Sequence, residues 1–250
     1  MSLGITCSGL RREFAGVAVI DGVTFRAPAG RVTAVVGPNG AGKTTLLSML
    51  AGQLRPHRGW LRVEDADPSV EPWVVRSRVG WVPDVYEGSI TWTVADTVAF
   101  SAKIAGHSGD TAEELVDRAL HLVRLADSAA TPVLRLSRSA KKWLSVARAL
   151  AAGTTALVLD NPMADLDHDG RRYLAGMLRA LARQDMTIVV SACLTDDLAG
   201  CAESILHIDH GRLVAVDASA PAPVDPGRTA CAGPDARGSR RPATSASPRS

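Results

Sequence analysis

The chain has 250 residues, 46% of them hydrophobic, and a formal net charge of +2 at pH 7, which supports one large domain with a sizeable core. The near-neutral balance gives no general reason to expect nucleic acid as a partner, and no run of about 18 apolar residues marks a membrane span. Met1–Thr6 lacks the basic and apolar regions of a signal peptide, and Cys7, Cys193, Cys201 and Cys231 show no C-x-x-C spacing, so reduced cytosolic thiols are expected.

Residues 1–83 read as β-rich. Val17–Ile20 and Gly22–Arg26 are short strand candidates, Ala29-Gly30 is a turn, and Arg31–Val36 is a buried strand. Then come Gly37, Pro38, Asn39, Gly40, Ala41, Gly42, Lys43, Thr44 and Thr45, a complete match to G-x-x-x-x-G-K-[ST], followed by a helix over Thr45–Leu50. Between a strand and a helix this motif is a phosphate-binding P-loop. Its backbone N–H groups and the helix N-terminus hold phosphate oxygens. Lys43 reaches the β/γ-phosphates, and the Thr44 hydroxyl goes to Mg2+. Trp60–Val63 and Val79–Val82 are further strands, the second ended by Pro83.

Residues 84–150 turn helical. Val94–Ile104 and Ala112–Leu125 carry apolar residues at helical spacing, with Thr111 as a cap and Glu113 and Glu114 in the first turn. Ser139–Ala151 is another helix. Ala156–Leu159 is a continuous apolar run, as in a fully buried parallel strand. Arg171–Arg183 is an amphipathic helix, Thr187–Val190 a buried strand, and Ile205–Ile208 with Arg212–Val216 a hairpin. From Asp217 the composition shifts to Pro, Ala, Gly, Ser and Arg, and 217–250 is expected to be a disordered tail.

The strand Ala156–Leu159 ends in Asp160, which reads as a Walker B carboxylate for the Mg2+ shell. Leu136–Leu150 lies upstream of it and Pro162–Asp167 downstream. With these motifs in order, residues 1–216 resemble an ABC-type ATPase, specifically the nucleotide-binding subunit of an ABC transporter. Leu144–Leu150 resembles the helix after the family's signature loop, and Leu166-Asp167 its D-loop. Gly80–Val94 resembles the Q-loop region of ATP subunits serving drug- and polysaccharide-type exporters. Phe14 stands where the family places an aromatic that stacks on adenine. The resemblance implies an α/β P-loop NTPase fold: a RecA-like core, an antiparallel β-subdomain, and an inserted helical subdomain at about 84–150. It further implies ATP and Mg2+ as ligands and a homo- or heterodimer with each ATP between one P-loop and the partner's signature loop. An integral membrane transporter subunit is the implied partner, which places the chain in the cytoplasm against the inner face of the membrane.

Four motifs depart from the family's pattern. Asn161 stands where the family has the Glu that polarises the attacking water, and an amide cannot take a proton. Cys193 takes the place of the switch histidine, either as an inert thiol or as a redox-sensitive one. The signature reads Leu136-Ser137-Arg138-Ser139-Ala140. Ser137 keeps its hydroxyl there, and Arg138 is either a makeshift arginine finger or a solvent-facing block to closure. Asp84 replaces the Q-loop Gln or Glu and keeps a carboxylate for Mg2+. Nucleotide binding with weak or absent hydrolysis is the expectation. A nucleotide-gated regulatory module without a transport role is the alternative.

Overall fold

A computed structural model describes residues 4–194, 198 and 201–217. Two sheets organise them. In the smaller one, β1 (Ile5–Phe14) pairs antiparallel with β2 (Val17–Ala27) on one side and β4 (Arg58–Val63) on the other. The larger has six strands in the order β5 (Val79–Val82), β6 (Ala156–Leu159), β7 (Thr187–Ala192), β3 (Val32–Val36), β8 (Ser204–Asp209), β9 (Arg212–Asp217). Its first five strands run parallel, and β9 turns back antiparallel on β8.

Every residue of β3, β6 and β7 is buried. This is why their sequences are dominated by Val, Ile, Leu and Ala, broken only by the buried hydroxyls of Thr33, Thr187 and Ser191: both faces of a parallel sheet are covered. Alternate residues face opposite cores. Val35, Val158 and Val189 pack with α1 (Lys43–Leu50) and the three-stranded sheet. Val36, Leu157, Leu159, Ile188 and Val190 pack on the other side with α3 (Val94–Ile104), α4 (Gly109–Leu122), α5 (Arg138–Ala151) and α6 (His168–Ala182). The helices α3, α4 and α5 contact one another between β5 and β6 in the chain.

Four sequence expectations change, the first being that Val17–Ile20 and Gly22–Arg26 belong to one strand, β2. β1 was not anticipated, because register shifts around Gly9 interrupt its apolar alternation. Nor was α2 (Pro72–Arg78), a seven-residue helix with Pro at its start, where the missing N–H costs nothing. Thr111 does not cap α4: that helix begins at Gly109 with Ser108 as its N-cap residue. Asp217 closes β9, and the rest of the expected tail, 218–250, lies outside the described residues. Among the described residues, no helix is long and apolar enough to cross a membrane.

Candidate nucleotide site

The site lies at the C-terminal ends of the parallel strands, where open α/β sheets leave a crevice. β3 runs directly into the loop Gly37–Gly42, and α1 starts at Lys43. Two glycines are required by contact. A Cβ on Gly37 would stand 2.1 Å from the carbonyl oxygen of Ile208 on β8, and one on Gly42 2.7 Å from that of Val19. Gly42 also has φ +99°, a conformation L-residues avoid. Gly42→Ala is therefore expected to cost about 1–3 kcal/mol, read as a lower denaturant midpoint. An unchanged midpoint would show that the loop can relax.

The Lys43 ammonium folds back over the loop. It donates to the carbonyls of Gly37 at 2.7 Å and Pro38 at 2.9 Å, and lies 3.9 Å from Cys193 Sγ. Thr44 Oγ1 donates to Asp160 Oδ2 at 2.6 Å, and Ser191 Oγ donates to Asp160 Oδ1 at 2.6 Å. Ser191 Oγ in turn accepts the Asn161 backbone N–H at 2.9 Å. Asp160 is buried, and both its oxygens are held by hydroxyls. Cys193 Sγ donates to Asn39 Oδ1 at 3.1 Å. Together Asn39, Gly40, Gly42, Lys43, Thr44, Thr45, Asp84, Asp160, Asn161 and Cys193, with Val19, line a cleft of about 250 Å³.

Asp84 faces this cleft but also pairs with Lys142 of α5, whose Nζ lies 3.3 Å from Asp84 Oδ1. Of the sequence-predicted residues, Gly37, Pro38 and Ala41 belong to the loop without lining the cleft, and three more stand away from it. Phe14 ends β1 half exposed, with the Arg12 guanidinium 4.9 Å from its ring centroid. Ser137 caps α5, its Oγ accepting the Ala140 N–H at 3.1 Å. Arg138 lines a separate cleft of about 390 Å³ with Asp84, Tyr86, Lys141, Lys142 and Asp165.

Sequence reasoning passed over Ser191 and Lys142. Each had a signal: Ser191 is a hydroxyl within an apolar strand, and Lys142 sits three and four residues before the buried Ser145 and Val146, on the face a lone lysine should avoid.

The arrangement suits a polyphosphate and a divalent cation. Unpaired N–H groups at the start of a helix, with a lysine beside them, attract phosphate. The Thr44–Asp160 pair offers hard oxygen ligands. Among the described residues, no group of three or more His, Cys, Asp or Glu could hold a metal by itself. Mg2+ takes one or two carboxylates and fills its shell with substrate phosphates and water, and the Thr44–Asp160 pair offers ligands of that kind.

A parallel sheet that delivers a P-loop into a helix, with an acidic strand end on the next strand but one, defines a P-loop NTPase with a RecA-like core. The sequence profile of the family described as "ABC transporter" matches residues 20–164. The chain belongs to that family and carries its ATP-binding domain. It is 30% identical to Nod factor export ATP-binding protein I of Ralstonia nicotianae over 84% of this chain and 66% of that protein. It is 32% identical to daunorubicin/doxorubicin resistance ATP-binding protein DrrA of Streptomyces peucetius over 84% of this chain and 64% of that one. The chain thus spans just under two thirds of the length of these curated relatives. In three dimensions it matches cbiO1 of Clostridium perfringens, part of the ABC transporter complex cbiONQ, with a TM-score of 0.77 at 23% identity, covering 86% of this chain and 88% of that one. A bacterial Atm1-family ABC exporter with ATP bound matches with a TM-score of 0.75 at 25% identity, covering 85% of this chain and 38% of that chain.

Proposed function

We propose that this chain is the ATP-binding subunit of an ABC transporter, which binds Mg-ATP, hydrolyses it weakly or not at all, and docks on a separate integral membrane subunit. The observation that carries this reading is the convergence of Lys43, Thr44 and Asp160 on one cleft at the head of α1. The loop's N–H groups and the helix N-terminus hold the phosphates. Lys43 exchanges its two carbonyl partners for the β/γ-phosphates, and Thr44 and Asp160 hold Mg2+. When bound, that ion neutralises charge on the phosphate oxygens. Phe14 stacks on the adenine. Ser137 and Arg138 meet the nucleotide of a second ATP-binding chain, identical or not, across a dimer interface.

Weak turnover follows from two residues in the cleft. Asn161 can orient a water but cannot accept its proton, and the Cys193 thiol is a poor donor to a γ-phosphate. Residual rate comes from positioning and charge alone. Docking is supported by exposed Val85, Ile90, Trp92, Phe100 and Ile104 on 84–94 and α3, an apolar set of the kind that marks an interaction surface. The names of the relatives lean towards export. On this reading the chain works in the cytoplasm, peripheral to the membrane.

Titration of purified protein with ATP tests the binding half. Lys43→Ala is expected to weaken binding by about 10- to 150-fold, the range for hydrogen bonds to charged groups. Equal affinity would sink the assignment of the site. Turnover near 1 s⁻¹ or faster, an ordinary enzyme rate on the order of known kcat values, would overturn the weak-hydrolysis half if Lys43→Ala abolished it. Co-purification with soluble partners only, and no membrane protein, would favour a nucleotide-gated regulatory module instead.

A further inference from the structure

Lys142 is the buried charge that the nucleotide site does not explain. It sits in the second turn of α5 with its side chain only 4% exposed. Lysines are almost never this buried unless paired. Its Nζ donates to the Asp84 backbone carbonyl, to Asp84 Oδ1 at 3.3 Å and to the Asn161 carbonyl at 3.4 Å. Three donors thus meet three acceptors. These lie on the segment leaving β5 and on the loop leaving β6, so one ammonium ties α5 to both ends of the cleft wall.

The charge pattern gives this tie a consequence. The carboxylates of Asp84 and Asp160 line the same cleft, facing the single ammonium of Lys43. A bound polyphosphate meets both negative charges. An exposed ion pair would hardly alter that, but this cation is sheltered from solvent behind Asp84, where screening is weaker. We propose that Lys142 is a positioning residue that neutralises Asp84 from inside the protein and so reduces the dependence of nucleotide binding on Mg2+. The inference rests on the nucleotide-binding reading above and deepens it: the cleft accepts a nucleoside triphosphate with part of its counter-charge built in.

The test compares the ATP dissociation constant in EDTA with that in excess Mg2+, by calorimetry on the full chain. Lys142→Met keeps the length and removes the charge, and is expected to raise the EDTA/Mg2+ ratio by about tenfold. Lys142→Arg should leave it near the wild-type value. Asp84→Asn should change it by less than about threefold in the wild-type background, yet lower it by about tenfold in Lys142→Met, the non-additivity expected of two groups in contact. A purely structural lysine would shift both dissociation constants together and leave the ratio alone, which would overturn the proposal. If Lys142→Met does not fold, Asp84→Asn decides the matter alone. A tenfold fall in the ratio in the wild-type background would show Asp84 free to meet the metal and overturn the idea, and a near-constant ratio would support it. Absence of ATP binding by the wild type would be a different failure, overturning the functional reading and this inference with it.

Discussion

Asn161→Glu is expected to raise ATP turnover by about 10²-fold or more, the contribution typical of a positioned general base, while lowering thermal stability. The geometry supports both halves. Asn161 follows Asp160, its N–H is anchored by Ser191 Oγ, and its carbonyl accepts from Lys142. Its side chain therefore starts from a fixed point on the cleft wall beside Lys43 and Thr44. A carboxylate grown from there can take a proton that an amide cannot. The backbone at this position has φ +48°, a left-handed conformation in which Asn is enriched and longer side chains are strained. Glutamate should cost about 1 kcal/mol there, so the variant gains rate and loses a few degrees of Tm. Steady-state turnover and a melting curve on the same preparation check the pair. If turnover stays flat while ATP still binds, the missing carboxylate is not what slows hydrolysis, and Cys193 and the altered signature at Arg138 become the cause to pursue.

That a functional reading was possible from the sequence owes much to how local the P-loop is. Strand, loop and helix are contiguous, so Gly37–Thr45 states its own context, and the apolar run before Asp160 states another. Phosphate-site residues on short, contiguous elements are legible for this reason. The contacts that complete the site are not. Ser191 reaches Asp160 only because β7 lies between β3 and β6 in the sheet, an order no local pattern reveals. Lys142 reaches Asp84 across the whole helical insertion. β1 escaped notice for a different reason: its bulged register around Gly9 spoils the period-2 signal, although Ile5, Cys7 and Leu10 are fully buried. The burial of this strand shows in how the protein answers to pH.

Raising the pH from 8 to 10 is expected to cost about 3 kcal/mol of folding stability, from two buried thiols. Cys7, in β1 against the core, has its pKa pushed up by burial to about 12 from an ordinary 9.0, a backbone hydrogen bond offsetting only part of this. Burial likewise raises Cys201 to about 11. Below pH 9 both the folded and unfolded chains keep these protons. Above it the unfolded chain releases them while the folded chain holds them up to pH 11–12. The native state then binds more protons, so stability falls as pH rises, by about 1.4 kcal/mol per unit for each thiol. Urea unfolding under reducing conditions at pH 8, 9 and 10 measures the slope. Cys7→Ala should start from a lower stability, since it leaves a small cavity in the core, yet decline with roughly half the wild-type slope. A variant that declines as steeply as the wild type would place the alkaline sensitivity elsewhere and show that the Cys7 thiol is less sealed from water than its packing implies.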